Sequence, residues 1–176
     1  MNGGAAVGLP GGIPVASSAV SPVELTEQEL ALGTLAQVDY CDAFLAVAVA
    51  GESRGGEEWA RAVLEGAPLP LRTALQAGWT SLGLKLGSSP SERFVLGWKL
   101  GHSDDTHARL TAGSRLGMPA ELLFLRRPEG LVLATLVRHE TVVARTMWAG
   151  VAPFHRQVVP YILDITAAES WPASQK

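Results

Sequence analysis

The spacing of apolar residues changes twice along this chain, and its longest coherent stretch lies near the C-terminus. On a 3.6-residue period Val151, Ala152, His155, Val159, Ile162, Leu163 and Thr166 share one stripe, which Trp148 joins if the helix begins that early. Pro153, Gln157, Pro160, Tyr161 and Asp164 fall opposite. The pattern predicts an amphipathic helix closing over a core, with one imidazole, His155, at the centre of its buried stripe. Each proline removes an i to i−4 hydrogen bond, but both lie on the polar side, where water reaches the freed carbonyls of Ala149 and Arg156. A helix opened on its outer side bends around what it covers.

Upstream, the β-branched and aromatic run at 39–49 predicts a strand, ended by Gly51. A short helix follows at 57–64, with acids in its first turn. Pro68 and Pro70 open a second helix at 71–86, whose Leu71, Leu75, Trp79, Leu82 and Leu86 share a face and which 87–90 terminate. The period then drops to two. Phe94, Leu96, Trp98 and Leu100 alternate with Arg93, Val95, Gly97 and Lys99. After a turn at 101–105, Ala108, Leu110, Ala112 and Ser114 alternate with His107, Arg109, Thr111 and Arg115. Further strands are predicted at 120–126, 131–139 and 141–147, separated by turns short enough to make neighbours antiparallel.

The order is one strand, two short helices, a meander of about five strands and a long terminal helix. This is α+β: a curved antiparallel sheet of about six strands wrapped on the C-terminal helix, with the two short helices plugging one end. The first 22 residues hold eight Gly or Pro, and Thr26 to Glu29 matches a capping box that starts a short helix. The domain reading is a flexible tail at 1–34 containing that short helix, a folded domain at 35–169 and a loose end at 170–176.

Composition narrows the function classes. Hydrophobic residues make up 47 % of the chain, which opposes disorder over most of its length. The net charge is −3 and the basic residues are scattered, so nucleic acid is not an expected partner. The longest apolar run, 43–50, is far short of the ~20 residues of a membrane span. No basic residue precedes Arg54, so the charged start of a signal peptide is missing and a cytoplasmic location is expected. The single cysteine, Cys41, falls in a predicted strand and reads as a small buried thiol. Nothing in the pattern specifies an oligomeric state or a cofactor.

The order of elements resembles the helix-grip fold of the START, polyketide-cyclase and pollen-allergen (SRPBCC) superfamily over 35–168. More narrowly it is similar to an uncharacterised bacterial branch of that superfamily. The residues carrying the resemblance are Asp39-Tyr40-x-Asp42-x-Phe44, Glu58-Trp59-Ala60, Val95-Leu-Gly-Trp98, Leu133-x-Thr135 and, most specifically, Trp148-x-x-Val-x-Pro-x-His-Arg-x-Val-Val-Pro160. The resemblance implies a cavity between sheet and terminal helix that holds a small apolar or amphipathic molecule, and it supplies no catalytic motif.

His155 is the leading candidate for chemistry, as a donor to a ligand or as an acid or base, against a plain structural role in which its ring nitrogens bond a backbone carbonyl or a strand side chain. Trp98, Thr135 and Arg138 are candidate cavity partners, with Phe124 and Trp148 as further ligand-contacting or core-filling residues. Gly51-Glu-Ser53-Arg-Gly55 satisfies G-x-S-x-G between a strand and a helix, and Asp104 or Asp105 and then His139 or His155 follow in hydrolase order. The meander that follows offers no further parallel strands and no oxyanion segment, so Ser53 is not expected to be a nucleophile. His102, Asp104, Asp105 and His107 cluster at a turn, but Ser103 and Thr106 mark an ordinary hairpin tip and no metal site is expected. The expectation is binding of a small molecule in a cavity. The alternatives are an enzyme on the same fold (a cyclase, dehydratase or hydrolase) using His155, or an interaction module whose large side chains (Trp79, Trp98, Phe94, Phe124, Trp148) fill the interior.

Overall fold

The period-two pattern becomes strands with one face in the core. In β6 (His107–Ser114), Ala108, Leu110 and Ala112 are buried while His107, Arg109 and Thr111 face away. The computed structural model describes residues 20–47, 53–88 and 91–170. Its elements are β1 (Val20–Pro22), α1 (Glu27–Leu30), β2 (Tyr40–Val47), α2 (Gly56–Leu64), α3 (Leu69–Ser81), β3 (Leu84–Lys85), β4 (Phe94–Val95), β5 (Trp98–Ser103), β6, β7 (Ala120–Arg127), β8 (Gly130–Val137) and α4 (Val142–Ser170). The strands form one antiparallel sheet in the order β1-β2-β8-β7-β6-β5-β4, with β3 pairing off this path to β6. The architecture is α+β with a long C-terminal helix. No helix among the described residues is long and apolar enough to cross a membrane.

Both faces of the sheet are covered, which is why all eight residues of β8 are buried. On the front, Trp59, Val63 and Leu64 of α2 and Trp148, Ala152, Val159, Ile162 and Leu163 of α4 join Phe44, Leu110, Leu122, Phe124 and Leu133 in one core. The predicted stripe of α4 is thus buried or half-buried, and Pro153 and Tyr161 are exposed as expected. On the back, Ala43, Leu123, Leu125, Val132, Ala134 and Leu136 lie under Val23, Leu25, Leu32, Leu35 and Val38.

That back cover corrects the domain reading. Residues 1–19 lie outside the described residues, but from Val20 the chain is in the sheet, with Val20 opposite Ala46. The arm then crosses the back face on three polar fasteners. Arg127 grips both carboxylate oxygens of Glu29 at 2.7 Å and also the carbonyl of Glu24. Arg109 donates to the carbonyl of Leu32 at 2.9 Å. Thr34 donates its amide, at 2.8 Å, and its hydroxyl to the buried carboxylate of Glu121. The capping box forms as predicted, with Thr26 and Glu29 satisfying each other's amides.

Five further expectations change. Residues 141–147 open α4 instead of forming a strand: Thr141 accepts from the amide of Ala144, and the β-branched Val142 and Val143 point to solvent. The predicted strand 93–100 is a hairpin, because Leu96 and Gly97 both take positive φ (46° and 93°) and reverse the chain, giving two strands where the alternation promised one. Leu96 is held there by burial and by its amide bond to Glu65 at 3.1 Å. α3 stops at Ser81, since Gly83 at φ 78° ends it and Leu84 and Lys85 pair with β6. With β1, β3 and the split hairpin, the sheet has eight strands. Cys41 is exposed and not the expected buried thiol. Residues 48–49 of the first predicted strand, the terminator at 89–90 and the end at 171–176 lie outside the described residues.

Candidate functional site

Between α3, α4 and the front of the sheet lies a cavity of about 190 Å³. The helix α3 supplies Leu71, Leu75, Gly78 and Trp79, and the sheet floor is Ala120, Leu122, Thr135 and Val137. Trp148, Val151, Phe154, His155 and Val158 of α4 form the roof, with Trp98 alongside. None of the residues of α3 is buried, so this wall is the most weakly packed of the three. Phe154 is 67 % exposed and marks the mouth.

The polar groups of the lining are few and specifically placed. His155 Nε2 lies 3.0 Å from Thr135 Oγ1 and 3.4 Å from Asp42 Oδ2. Asp42 on β2 and Thr135 on β8 are direct cross-strand partners, so one imidazole meets both. Tyr40, two residues along β2 and therefore on the same face, donates its hydroxyl to Asp42 Oδ2 at 2.6 Å. The Tyr40 ring packs edge-on against Trp148, with centroids 4.9 Å apart, and Trp148 lies 5.2 Å from the His155 ring. Arg156 closes the outer side, donating from Nε to the Tyr40 hydroxyl at 3.3 Å. The side chains of His155 and Asp42 are only 15 % and 12 % exposed.

This geometry limits the chemistry. A hydroxyl–histidine–carboxylate relay uses one ring nitrogen for each partner. Here the same Nε2 meets both, so the three groups do not form that relay. Burial, and then the hydrogen bond to Asp42, push the Tyr40 phenol up to about 12, so it remains a donor across the ordinary pH range. Trp98 and Trp148 line the cavity too, and the indole N–H of each is buried without an acceptor among the described residues.

Of the residues singled out in the sequence, His155, Thr135, Trp98 and Trp148 meet at this cavity. Arg138 does not: it follows Val137, whose side chain faces the cavity, and so leaves on the other side to pair with Glu140 at 3.3 Å. Phe124 is wholly enclosed in the front core and is not part of the lining. Asp42 and Tyr40 were missed as site residues. Their signal was an acid and a phenol on the same alternating face as Phe44 and Ala46. Trp79 stands perpendicular to Trp98, centroids 5.4 Å apart, and walls the cavity instead of filling it.

Ser53 is exposed, and Gly51 and Glu52 of its motif lie outside the described residues. The hairpin between β5 and β6 gathers His102, Asp104 and His107, while Asp105 is not among them. Comparison with protein-family models, with curated proteins and with solved structures gave no match to this chain.

Proposed function

We propose that the protein binds a small apolar molecule carrying a hydrogen-bond acceptor in the cavity beneath α4. The observation that carries this reading is the cavity itself: about 190 Å³ with an apolar lining interrupted by His155 and Thr135. It is somewhat larger than a dry engineered cavity of ~150 Å³ that takes benzene, so one or two fused rings match it. The acceptor is called for by the Thr135 hydroxyl and the His155 ring, the polar groups of the lining. The resemblance to the helix-grip superfamily supports the same reading, since α4 follows an antiparallel sheet and two helices follow its first long strand.

A second reading, acid–base catalysis by His155 on the bound molecule, is favoured by one observation, the Asp42 carboxylate beside its ring. The cavity disfavours an interior filled by the large aromatic residues. Native mass spectrometry of protein purified from its own host tests the proposal. A retained small molecule, lost when the cavity is filled by substitution, is expected. Protein that carries nothing and takes up no ring compound contradicts it.

A further inference from the structure

The hairpin joining β5 to β6 carries a second constellation, away from the cavity. Ala112 pairs with the cavity residue Ala120, and His107 lies five residues farther along β6, roughly 17 Å away at strand rise. At this end the ligand atoms of His102, Asp104 and His107 all lie within 4.8 Å of one another. His102 Nε2 is 3.0 Å and His107 Nδ1 3.2 Å from the same oxygen, Asp104 Oδ2. The two imidazoles stack, with centroids 4.6 Å apart and planes 22° from parallel.

Three features of the backbone and its neighbours hold this set. The first is a bulge. Leu100 faces Leu110, but the next pair is His102 with Arg109, so Gly101 is an extra residue. Regular alternation would turn His102 to the side of Leu100, toward the core. The bulge turns it to the side of Arg109 and hence of His107. The second is the carboxylate orientation. Asp104 Oδ1 accepts from the amides of Thr106 and His107 at 2.7 and 2.9 Å and from the Thr106 hydroxyl at 2.6 Å, which leaves Oδ2 turned to the imidazoles. That hydroxyl also lies 3.2 Å from His107 Nδ1. The third is an anchor. The amide of Gly56, at the start of α2, donates to the Asp104 carbonyl at 3.0 Å, and a Cβ at Gly56 would fall 2.1 Å from the backbone of His107. The tip is thus pressed against α2 and cannot drift.

We propose that His102 Nε2, Asp104 Oδ2 and His107 Nδ1 form a binding site for a divalent transition-metal ion, with zinc as the reference case. A tetrahedral ion with bonds of about 2.0–2.1 Å separates its ligand atoms by about 3.4 Å, close to the two shorter separations present. The stacked imidazoles turn out of their stack to aim both lone pairs at one ion. Two imidazoles and one carboxylate suit zinc, copper or nickel and not calcium or magnesium, which take oxygen ligands. Three protein ligands leave a coordination position open to water or to a partner's side chain.

The test is calorimetric titration of the full chain with zinc chloride, beside the visible spectrum of the cobalt-loaded protein and the melting temperature with and without zinc. One ion per chain with micromolar or tighter affinity, a tetrahedral cobalt spectrum and a zinc-dependent rise in melting temperature are expected. His102→Ala and His107→Ala each weaken binding about tenfold or more and abolish the cobalt spectrum, and His102→Ala, at the more exposed of the two side chains, leaves the metal-free melting temperature unchanged. His139→Ala leaves binding as it was. Absence of saturable binding, or zinc binding that survives the double substitution of His102 and His107 and is therefore an adventitious ion only, overturns the proposal.

Discussion

His155 illustrates how much a single residue can carry when its neighbours come from distant parts of the chain. Its ring joins α4 to two strands through Thr135 and Asp42, and Thr135 is itself buried. His155→Ala therefore strips a buried hydroxyl and a largely buried carboxylate of their shared partner, although the adjoining cavity lets water in to relieve them. We expect a loss of about 1–2 kcal/mol in urea melts, smaller than for a fully packed core histidine. An unchanged midpoint would show that the bonds to Thr135 and Asp42 contribute nothing. The position of His155 was legible because a helical stripe is a local pattern. Its partners were not, because they depend on the pairing of Asp42 with Thr135, residues far apart in sequence whose register no local pattern encodes. Arg138 was misplaced for the same reason at smaller scale: one residue along a strand exchanges one face for the other.

At the scale of elements, the N-terminal arm is the part that composition concealed. Glycine and proline suggested a tail, yet from Val20 onward the arm pairs with β2 and roofs the back of the sheet. Chains starting at residue 20 and at residue 36 separate the two views in urea melts. Removing Val23, Leu25, Leu32, Leu35 and the β1 pairing is expected to cost more than about 4 kcal/mol. The Arg127 fastener adds a pH signature. The hydrogen bonds from Arg127 lower the Glu29 carboxyl from its ordinary 4.5 to about 2. A depressed carboxyl stabilises the fold above its unfolded value and loses that contribution as pH falls from about 4.5 to 2. Arg127→Met should accordingly lower stability by about 1 kcal/mol at neutral pH, with the gap to wild type closing over that window. A gap that persists at pH 2 would assign the effect to packing of the arginine stem. The misread start of α4 has an equally local cause. Thr141-Val-Val143 has strand propensity, but the Thr141 cap and the spacing of Ala144, Trp148 and Ala152 win because they extend the buried stripe.

For the molecule as a whole, a sheet covered on both faces still leaves packing incomplete between α3 and α4. Trp79, Trp98 and Trp148 line that space instead of closing it. Gly78 on α3 offers the cleanest way to ask whether it is a binding site, since a Cβ there meets nothing within 4 Å and the residue lines the cavity. Gly78→Leu should fill the space while improving helix propensity by up to about 1 kcal/mol, so binding and folding respond in opposite directions. The most direct measurement is a titration of wild type and Gly78→Leu with coumarin, a fused two-ring lactone bearing a carbonyl acceptor, followed by tryptophan fluorescence and calorimetry. The predicted result is saturable one-to-one binding to wild type, weakened at least about tenfold by Gly78→Leu, with an equal or higher melting temperature for the variant. Binding that is undiminished in Gly78→Leu, or a wild-type protein that binds neither coumarin nor naphthalene, would contradict the assignment of the cavity beneath α4 as a ligand site.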